Sequence, residues 1–196
     1  MKRPLAVAIT GGVGAGKSEA LDAFARQGAA TISSDEVVHD LYGDPEVRAA
    51  LRRRYGDGIF DGEEVVRAAV GAIVFADRDE LAWLERLLHP KVMARTEAWR
   101  EDLARLPDPP RLAVNEVPLL YETGSEDRFD VVVVITAPEA IRVQRAGERL
   151  DAREDRLIAD DVKAARADFV YVNDGSLADL DRFIHDVIET LDRRHE

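Results

Sequence analysis

The sequence contains no cysteine among its 196 residues, so disulfide bonds, thiolate metal sites and cysteine nucleophiles are excluded. No apolar run approaches the roughly 18 residues that a membrane-spanning helix requires. Near the start, the apolar stretch 5–9 is too short to be the core of a secretory signal. We therefore expect a cytoplasmic protein that does not act at a membrane.

Positive charge is also scarce. The 27 lysines and arginines are outnumbered by 39 acidic residues, which gives a formal net charge of −12. General nucleic-acid binders are typically basic, so we expect no nucleic-acid partner. The composition leaves the oligomeric state open.

Short apolar stretches alternate with helical patterns along most of the chain. The predicted strands are residues 5–9, 29–32, 111–117, 129–136 and 168–172. Such alternation is typical of parallel sheets covered by helices. The sequence predicts a single α/β domain with five parallel strands and helices on both faces of the sheet.

A long segment between the second and third predicted strands is mainly helical. We place a helical insertion at about 45–106, a core at about 1–44 and 107–196, and an arginine-rich helical segment at about 142–166. Pro90 is expected to kink or break the helix that contains it. Ser176 is expected to cap the last helix.

Residues 11–18 match the phosphate-binding pattern G-x-x-x-x-G-K-[ST] in full. Glycines allow successive backbone N–H groups to converge on phosphate, and the following helix directs its positive end to the same place. Lys17 is expected to reach the β and γ phosphates of ATP, and the Ser18 hydroxyl to bind Mg²⁺. The expected nucleotide contacts are Gly12, Val13, Gly14, Ala15, Gly16, Lys17, Ser18 and Glu19.

A phosphate loop indicates nucleotide binding but not the reaction. The sequence has no N/T-K-x-D motif of the kind that GTPases carry. Its size and its arginine-rich segment before the last strand are typical of a small kinase. Two other interpretations stay open: a kinase for a nucleoside, nucleotide or shikimate-like acceptor, and a nucleotide-binding regulatory module with weak turnover.

Six segments in order resemble the dephospho-coenzyme A kinase family along nearly the whole chain. They are residues 9–18, 32–35, 66–75, 87–92, 117–122 and 167–176. The resemblance implies a three-layer P-loop kinase fold, in which the insertion at about 45–106 binds the acceptor and the segment at about 142–166 is a helical lid. It also implies transfer of the ATP γ-phosphoryl group to the 3′-hydroxyl of dephospho-coenzyme A. The chain departs from the family at Ala15 and Ser33, where serine and aspartate are usual. Its lid is several residues shorter, with Leu157 in place of a glutamine.

Two acids follow predicted strands. By spacing alone Asp35 is a helix cap, whereas the resemblance implies the general base that accepts the proton of the acceptor hydroxyl. Glu116 ends the third predicted strand, where a carboxylate either holds a magnesium-bound water or is simply solvated.

The remaining candidates concern the acceptor and the lid. Arg67 is expected to pair with an acceptor phosphate or to form a surface salt bridge, and His89 to line the acceptor pocket or have a structural role. Pro118 and Leu119 are also expected to contact the acceptor. Spacings of three and four place most lid arginines on one helix face, and we favour Arg145 and Arg149 for the transferring phosphoryl group. The four lid arginines are Arg142, Arg145, Arg149 and Arg153.

Overall fold

The computed structural model describes residues 3–146 and 158–194. Its strands are β1 (Leu5–Thr10), β2 (Ala30–Ser33), β3 (Phe60–Asp61), β4 (Glu64–Val65), β5 (Leu112–Glu116), β6 (Val131–Thr136) and β7 (Phe169–Val172). Its helices are α1 (Lys17–Arg26), α2 (Ser34–Leu41), α3 (Pro45–Tyr55), α4 (Arg67–Ala76), α5 (Arg78–Ala104), α6 (Glu139–Ala146), α7 (Asp160–Ala164) and α8 (Leu177–Arg194). The chain forms two compact units, a core made of 1–33 with 100–196 and a helical unit made of 34–99.

Five strands of the core form one parallel sheet in the order β2-β5-β1-β6-β7. The central strand is β1, in which Val7 lies opposite Val114 of β5 on one side and Val131 of β6 on the other. The prediction of five parallel strands is confirmed. Because all five run in the same direction, their carboxyl ends meet at one edge of the sheet, where ligands of such folds bind.

Helices and connecting segments cover both faces of this sheet. Alternate residues of a strand point to opposite faces; Val7 and Ile9 pack with Phe24 of α1 and Ile184 of α8, and all four are fully buried. On the opposite face, Ala8 packs in a second cluster. That cluster also contains Leu120, Tyr121, Val132 and Val134. Each large apolar side chain buried in this way stabilises the fold by about 1.5–3 kcal/mol.

The last helix begins with the predicted cap. The Ser176 hydroxyl accepts a hydrogen bond from the backbone N–H of Asp179 at 3.3 Å, and the Asp179 carboxylate accepts one from the backbone N–H of Ser176 at 2.8 Å. This reciprocal arrangement satisfies N–H groups that a helix start leaves without intrahelical partners. The hydrogen bonds from Ser176 hold the pKa of Asp179 below its ordinary value.

The helical unit comprises α2, α3, α4, most of α5 and a small hairpin. Helix α3 starts with Asp44, whose carboxylate accepts hydrogen bonds from the N–H groups of Glu46 and Val47, and with Pro45 in its first turn. Strands β3 and β4 pair in antiparallel fashion around Gly62. This hairpin could not be predicted from the sequence, because strands of two residues are too short to show an alternating pattern.

Of the kink or break expected at Pro90, the break does not occur. Helix α5 continues through Pro90 over 27 residues. A proline removes only one hydrogen bond of the ladder, and buried side chains on both sides of it, Leu88 and Thr96, fasten the helix to its surroundings. In the described part of the chain, neither α5 nor any other helix is long and apolar enough to cross a membrane.

Candidate active site

The phosphate loop joins the central strand β1 to α1 at the carboxyl edge of the sheet. Gly11 has φ 146°, and a side chain there would clash with the carbonyl oxygen of Ile135 in β6. Gly16 has φ 98°, and a side chain there would clash with the amide of Asn173. The backbone conformation and the close neighbours both require glycine at these two positions.

The loop presents positive groups to an anion. Gly16 caps α1 without a side-chain hydrogen bond, so the first N–H groups of α1 remain directed at the loop. The Lys17 Nζ donates a hydrogen bond to the carbonyl oxygen of Gly12 at 2.9 Å. Helix N-terminus and ammonium group therefore lie at the same loop, as phosphate binding requires.

Ser18 and Glu116 meet across the edge of the sheet. The Ser18 hydroxyl lies 3.3 and 3.2 Å from the two carboxylate oxygens of Glu116, which is 5% exposed and ends β5. A hydroxyl and a carboxylate are the oxygen ligands that Mg²⁺ prefers. No group of three His, Cys, Asp or Glu side chains within 3–146 and 158–194 could hold a metal ion. The donor set fits a cation that takes its other ligands from phosphate and water.

Asn173, at the end of β7, fixes the loop from the other side. Its Nδ2 donates to the carbonyl oxygen of Ala15 at 2.8 Å, and its backbone N–H donates to Thr136 at 2.7 Å. Both Asn173 and Ala15 are buried. No role for Asn173 was predicted from the sequence, because the contact joins residues 158 positions apart. Two signals pointed to it: its place directly after a strand and its place in the segment 167–176 that resembles the family.

Two arginines of α6 lie over the loop. The Arg145 Nη1 is 3.7 Å from the position of a methyl group added to Gly16, and 3.5 Å from the carbonyl oxygen of Asn173. The Arg142 Nη1 is 2.9 Å from the position of a methyl group added to Gly12. Arg145 was favoured from the sequence, whereas Arg142 was named without preference. Arg149, Arg153 and Leu157 lie outside the described residues.

The segment after β5 runs beside the loop. The Thr10 hydroxyl lies 3.5 Å from the carbonyl oxygen of Pro118, and the carbonyl oxygen of Leu119 accepts a hydrogen bond from Thr123 at 2.8 Å. Pro118 and Leu119 are half-buried. Glu19, predicted to contact nucleotide, lies 3.5 Å from Arg26 of its own helix.

Three candidates belong to the helical unit. Asp35 is exposed in the first turn of α2, two residues after β2 ends. Arg67 is exposed at the first position of α4. Burial raises the pKa of Tyr42, and the nearby charge of Arg67 opposes this rise. His89 is half-buried in the middle of α5.

Comparison with known proteins gives a consistent result. A family model described as Dephospho-CoA kinase matches residues 5–179. A dephospho-CoA kinase of Helicobacter pylori is 32% identical and covers 95% of this chain and 97% of its own length.

Two solved structures resemble the fold over nearly the full length. The protein TT1252 from Thermus thermophilus is 31% identical with a TM-score of 0.78, and covers 97% of this chain and 99% of its own. The dephospho-CoA kinase from Campylobacter jejuni is 25% identical with a TM-score of 0.72, and covers 97% of this chain and 98% of its own. This chain belongs to the dephospho-CoA kinase family.

Proposed function

We propose that this chain transfers the γ-phosphoryl group of ATP to the 3′-hydroxyl of dephospho-CoA and releases CoA and ADP. The observation that carries the proposal is the phosphate loop in which Lys17, Ser18 and Glu116 converge at one edge of the sheet. The chain belongs to a family of this activity, and the geometry supplies the groups that phosphoryl transfer needs.

The phosphates of ATP bind in the loop. The N–H groups at the start of α1 and the Lys17 ammonium neutralise the β and γ phosphates. Arg145, which lies beside Gly16, stabilises charge on the phosphoryl group as the bond to ADP breaks. These groups accelerate the reaction because they are already directed at the place where charge develops.

Asp35 receives the proton of the acceptor hydroxyl. As the ribose oxygen forms its bond to the γ phosphorus, that proton passes to the Asp35 carboxylate, and the electron pair of the broken bond leaves with ADP. Two facts support this role: Asp35 is exposed, and it follows the carboxyl end of β2 by two residues. General-base catalysis of this kind contributes about 10²–10⁴-fold.

Ser18 and Glu116 would hold the magnesium ion, with the Ser18 hydroxyl as a ligand and the Glu116 carboxylate accepting from a magnesium-bound water. The ion would neutralise charge on the β and γ oxygens of the nucleotide. This proposal rests on the hydroxyl and the buried carboxylate being 3.2 Å apart, close enough to share one hydrated cation.

Acceptor contacts are proposed for Arg67 and His89 of the helical unit and for Pro118 and Leu119 of the core. The planar guanidinium of Arg67 suits a phosphate of the acceptor.

We also propose a cytoplasmic location; recovery of the native protein with the membrane fraction of lysed cells would contradict it.

The function is tested by measuring ADP release with ATP, Mg²⁺ and a panel of acceptors. Dephospho-CoA should be the productive acceptor, while a nucleoside and shikimate should give only background. Turnover should vanish in excess EDTA and return with Mg²⁺. ADP release with a nucleoside but not with dephospho-CoA would favour the other small-molecule kinases, and nucleotide binding without transfer would favour a regulatory module.

The same assay tests Asp35. The Asp35→Asn variant should lose about a hundredfold or more in kcat, because the amide cannot accept the proton. Asp40→Asn, which removes a charge from an exposed position of the same helix, is the matched control and should retain turnover. Equal activity of the two variants would rule out the proposed base.

A further inference from the structure

The carboxylate of Asp160, the first residue of α7, lies against the phosphate loop. A methyl group added to Gly12 would be 2.9 Å from the Asp160 Oδ2, 3.0 Å from its Oδ1 and 2.9 Å from the Arg142 Nη1. The nucleotide chemistry described above gives no role to Asp160. An anion placed at an anion-binding loop therefore needs an explanation.

Gly12 marks the place of the terminal phosphates. Its carbonyl oxygen accepts a hydrogen bond from Lys17 Nζ at 2.9 Å, and the lysine of such a loop reaches the β and γ phosphates of a bound nucleotide. The Asp160 carboxylate thus lies beside the position that the end of the triphosphate occupies. The Asp160 carboxylate and a phosphate bound in the loop would lie close together, and their negative charges would repel each other strongly.

The position of Asp160 is fixed from both sides. Lys163 is fully buried, and its Nζ lies 2.8 Å from the Glu122 Oε1. The same oxygen accepts a hydrogen bond from the backbone N–H of Ile158 at 3.0 Å. The residues two before and three after Asp160 are therefore tied to one carboxylate, which holds the start of α7 at the loop.

We propose that Asp160 sets the affinity for nucleotide: its carboxylate stands at the terminal phosphate position and competes with phosphate for the loop and for Arg142. Bound nucleotide displaces it, and the cost of that displacement lowers the affinity for ATP. This inference rests on the proposed function, because it requires that the loop binds a nucleotide. An acid in the first turn also favours the helix dipole, but that effect does not require contact with Gly12.

The test compares nucleotide affinity of the full chain by calorimetry for Asp160→Asn, Asp160→Ala and Asp161→Asn. Asp161 is the matched control, since it is exposed, adjacent and of equal charge, and its carboxylate accepts a hydrogen bond from the neighbouring N–H of Val162. Both Asp160 variants should bind ATP about fivefold or more tightly than the wild type, with or without Mg²⁺. ADP, which lacks the terminal phosphate, should gain less, and Asp161→Asn should change affinity by less than about twofold.

Unchanged or weaker ATP binding by the Asp160 variants would overturn the inference. Weaker binding only in the presence of Mg²⁺ would also overturn it, by making Asp160 a ligand of the metal. If Asp161→Asn gains as much affinity for ATP, the effect comes from the overall charge of the protein and not from the contact of Asp160 with the loop. If the wild type binds no ATP, the proposed function itself fails; if it binds and turns over ATP while the Asp160 variants do not bind more tightly, the inference alone fails.

Discussion

Two glycines at opposite ends of α1 share a left-handed backbone but differ in their surroundings. Gly16 precedes the helix with φ 98°, and Gly28 follows it with φ 89°. No atom lies within 4 Å of the position that a side chain on Gly28 would take, whereas a side chain on Gly16 would clash with Asn173. The pair separates the cost of backbone strain from the cost of closing the phosphate loop.

Replacing each glycine by alanine should have different results. Gly28→Ala should cost about 1–2 kcal/mol of unfolding free energy through backbone strain alone and leave the KM for ATP unchanged. Gly16→Ala should carry the same strain and also push Asn173 off the carbonyl oxygen of Ala15, so that ATP binding is lost. Chemical denaturation and nucleotide titration check the two effects. Loss of ATP binding in Gly28→Ala would show that strain alone disables the site.

The site residues divide by whether their contacts are local. Lys17 and Ser18 follow from an unbroken motif, so the sequence predicts both. For Glu116, its place at the end of an apolar strand left open whether it holds a magnesium-bound water or is solvated. Asn173 and Asp160 act through contacts with the loop that are more than a hundred residues distant in sequence. No periodicity or spacing in a single sequence reports such contacts.

At the scale of secondary structure, α7 depends on its surroundings. It has five residues, far fewer than the roughly 12–15 that an isolated helix needs to be stable in water. The buried pair of Lys163 and Glu122 supplies the missing stabilisation, with the Glu122 side chain only 11% exposed. The burial of a lysine beside Glu122 could not be predicted from the sequence, because lysine is usually exposed.

Breaking the buried pair should destabilise the protein strongly. Lys163→Met leaves the Glu122 carboxylate buried without its cation and should cost about 3–5 kcal/mol of unfolding free energy. The double variant Lys163→Met/Glu122→Gln should recover a large part of that loss, because no charge then remains buried. Urea denaturation of both single variants and the double variant gives the coupling energy.

An exposed ion pair provides the comparison. Arg105 and Glu101 lie 2.9 Å apart on α5 and its continuation, with 66% and 59% of their side chains exposed. Such pairs contribute about 0.3–0.5 kcal/mol to the free energy of unfolding, so Arg105→Met should hardly change the midpoint of urea denaturation. If Lys163→Met loses no more unfolding free energy than Arg105→Met, burial does not strengthen the pair of Lys163 and Glu122.

Elements with strong patterns were predictable and those held by context were not. The five core strands follow from apolar runs, of which residues 131–135 form the clearest. The hairpin of β3 and β4 and the continuity of α5 through Pro90 depend on packing around them. Proline by itself predicts an interruption of the helix, but the burial of side chains on both sides of Pro90 keeps α5 continuous.

At the scale of the whole molecule, all four tyrosines hold their protons more tightly than free tyrosine. Burial raises the pKa of Tyr42, Tyr121 and Tyr171, and burial together with a hydrogen bond to Glu80 raises the pKa of Tyr55 to about 12. Two of these residues belong to the helical unit and two to the core. Their titration therefore reports on both units.

The stability of the protein should decline in alkali. Below about pH 10, the ordinary pKa of tyrosine, the tyrosines are protonated in both the folded and the unfolded chain. Their contribution to the free energy of unfolding is then complete. Above it the unfolded chain releases protons first, so stability falls as the pH rises, for Tyr55 up to a pH of about 12. Phenolate absorbance of the native protein should rise at higher pH than that of the urea-unfolded chain, and Tyr55→Phe should remove the highest step. Coincident titration curves would contradict the expectation.

The central place of β1 in the sheet has a consequence for molecular recognition. A loop that leaves a middle strand has neighbours on both flanks: Glu116 reaches it from β5, and Ile135 and Asn173 border it from β6 and β7. The cradle is thus preorganised, and a triphosphate entering it loses little of its binding free energy to immobilising backbone. The rate of nucleotide binding is then governed by charge and by access rather than by rearrangement of the loop backbone.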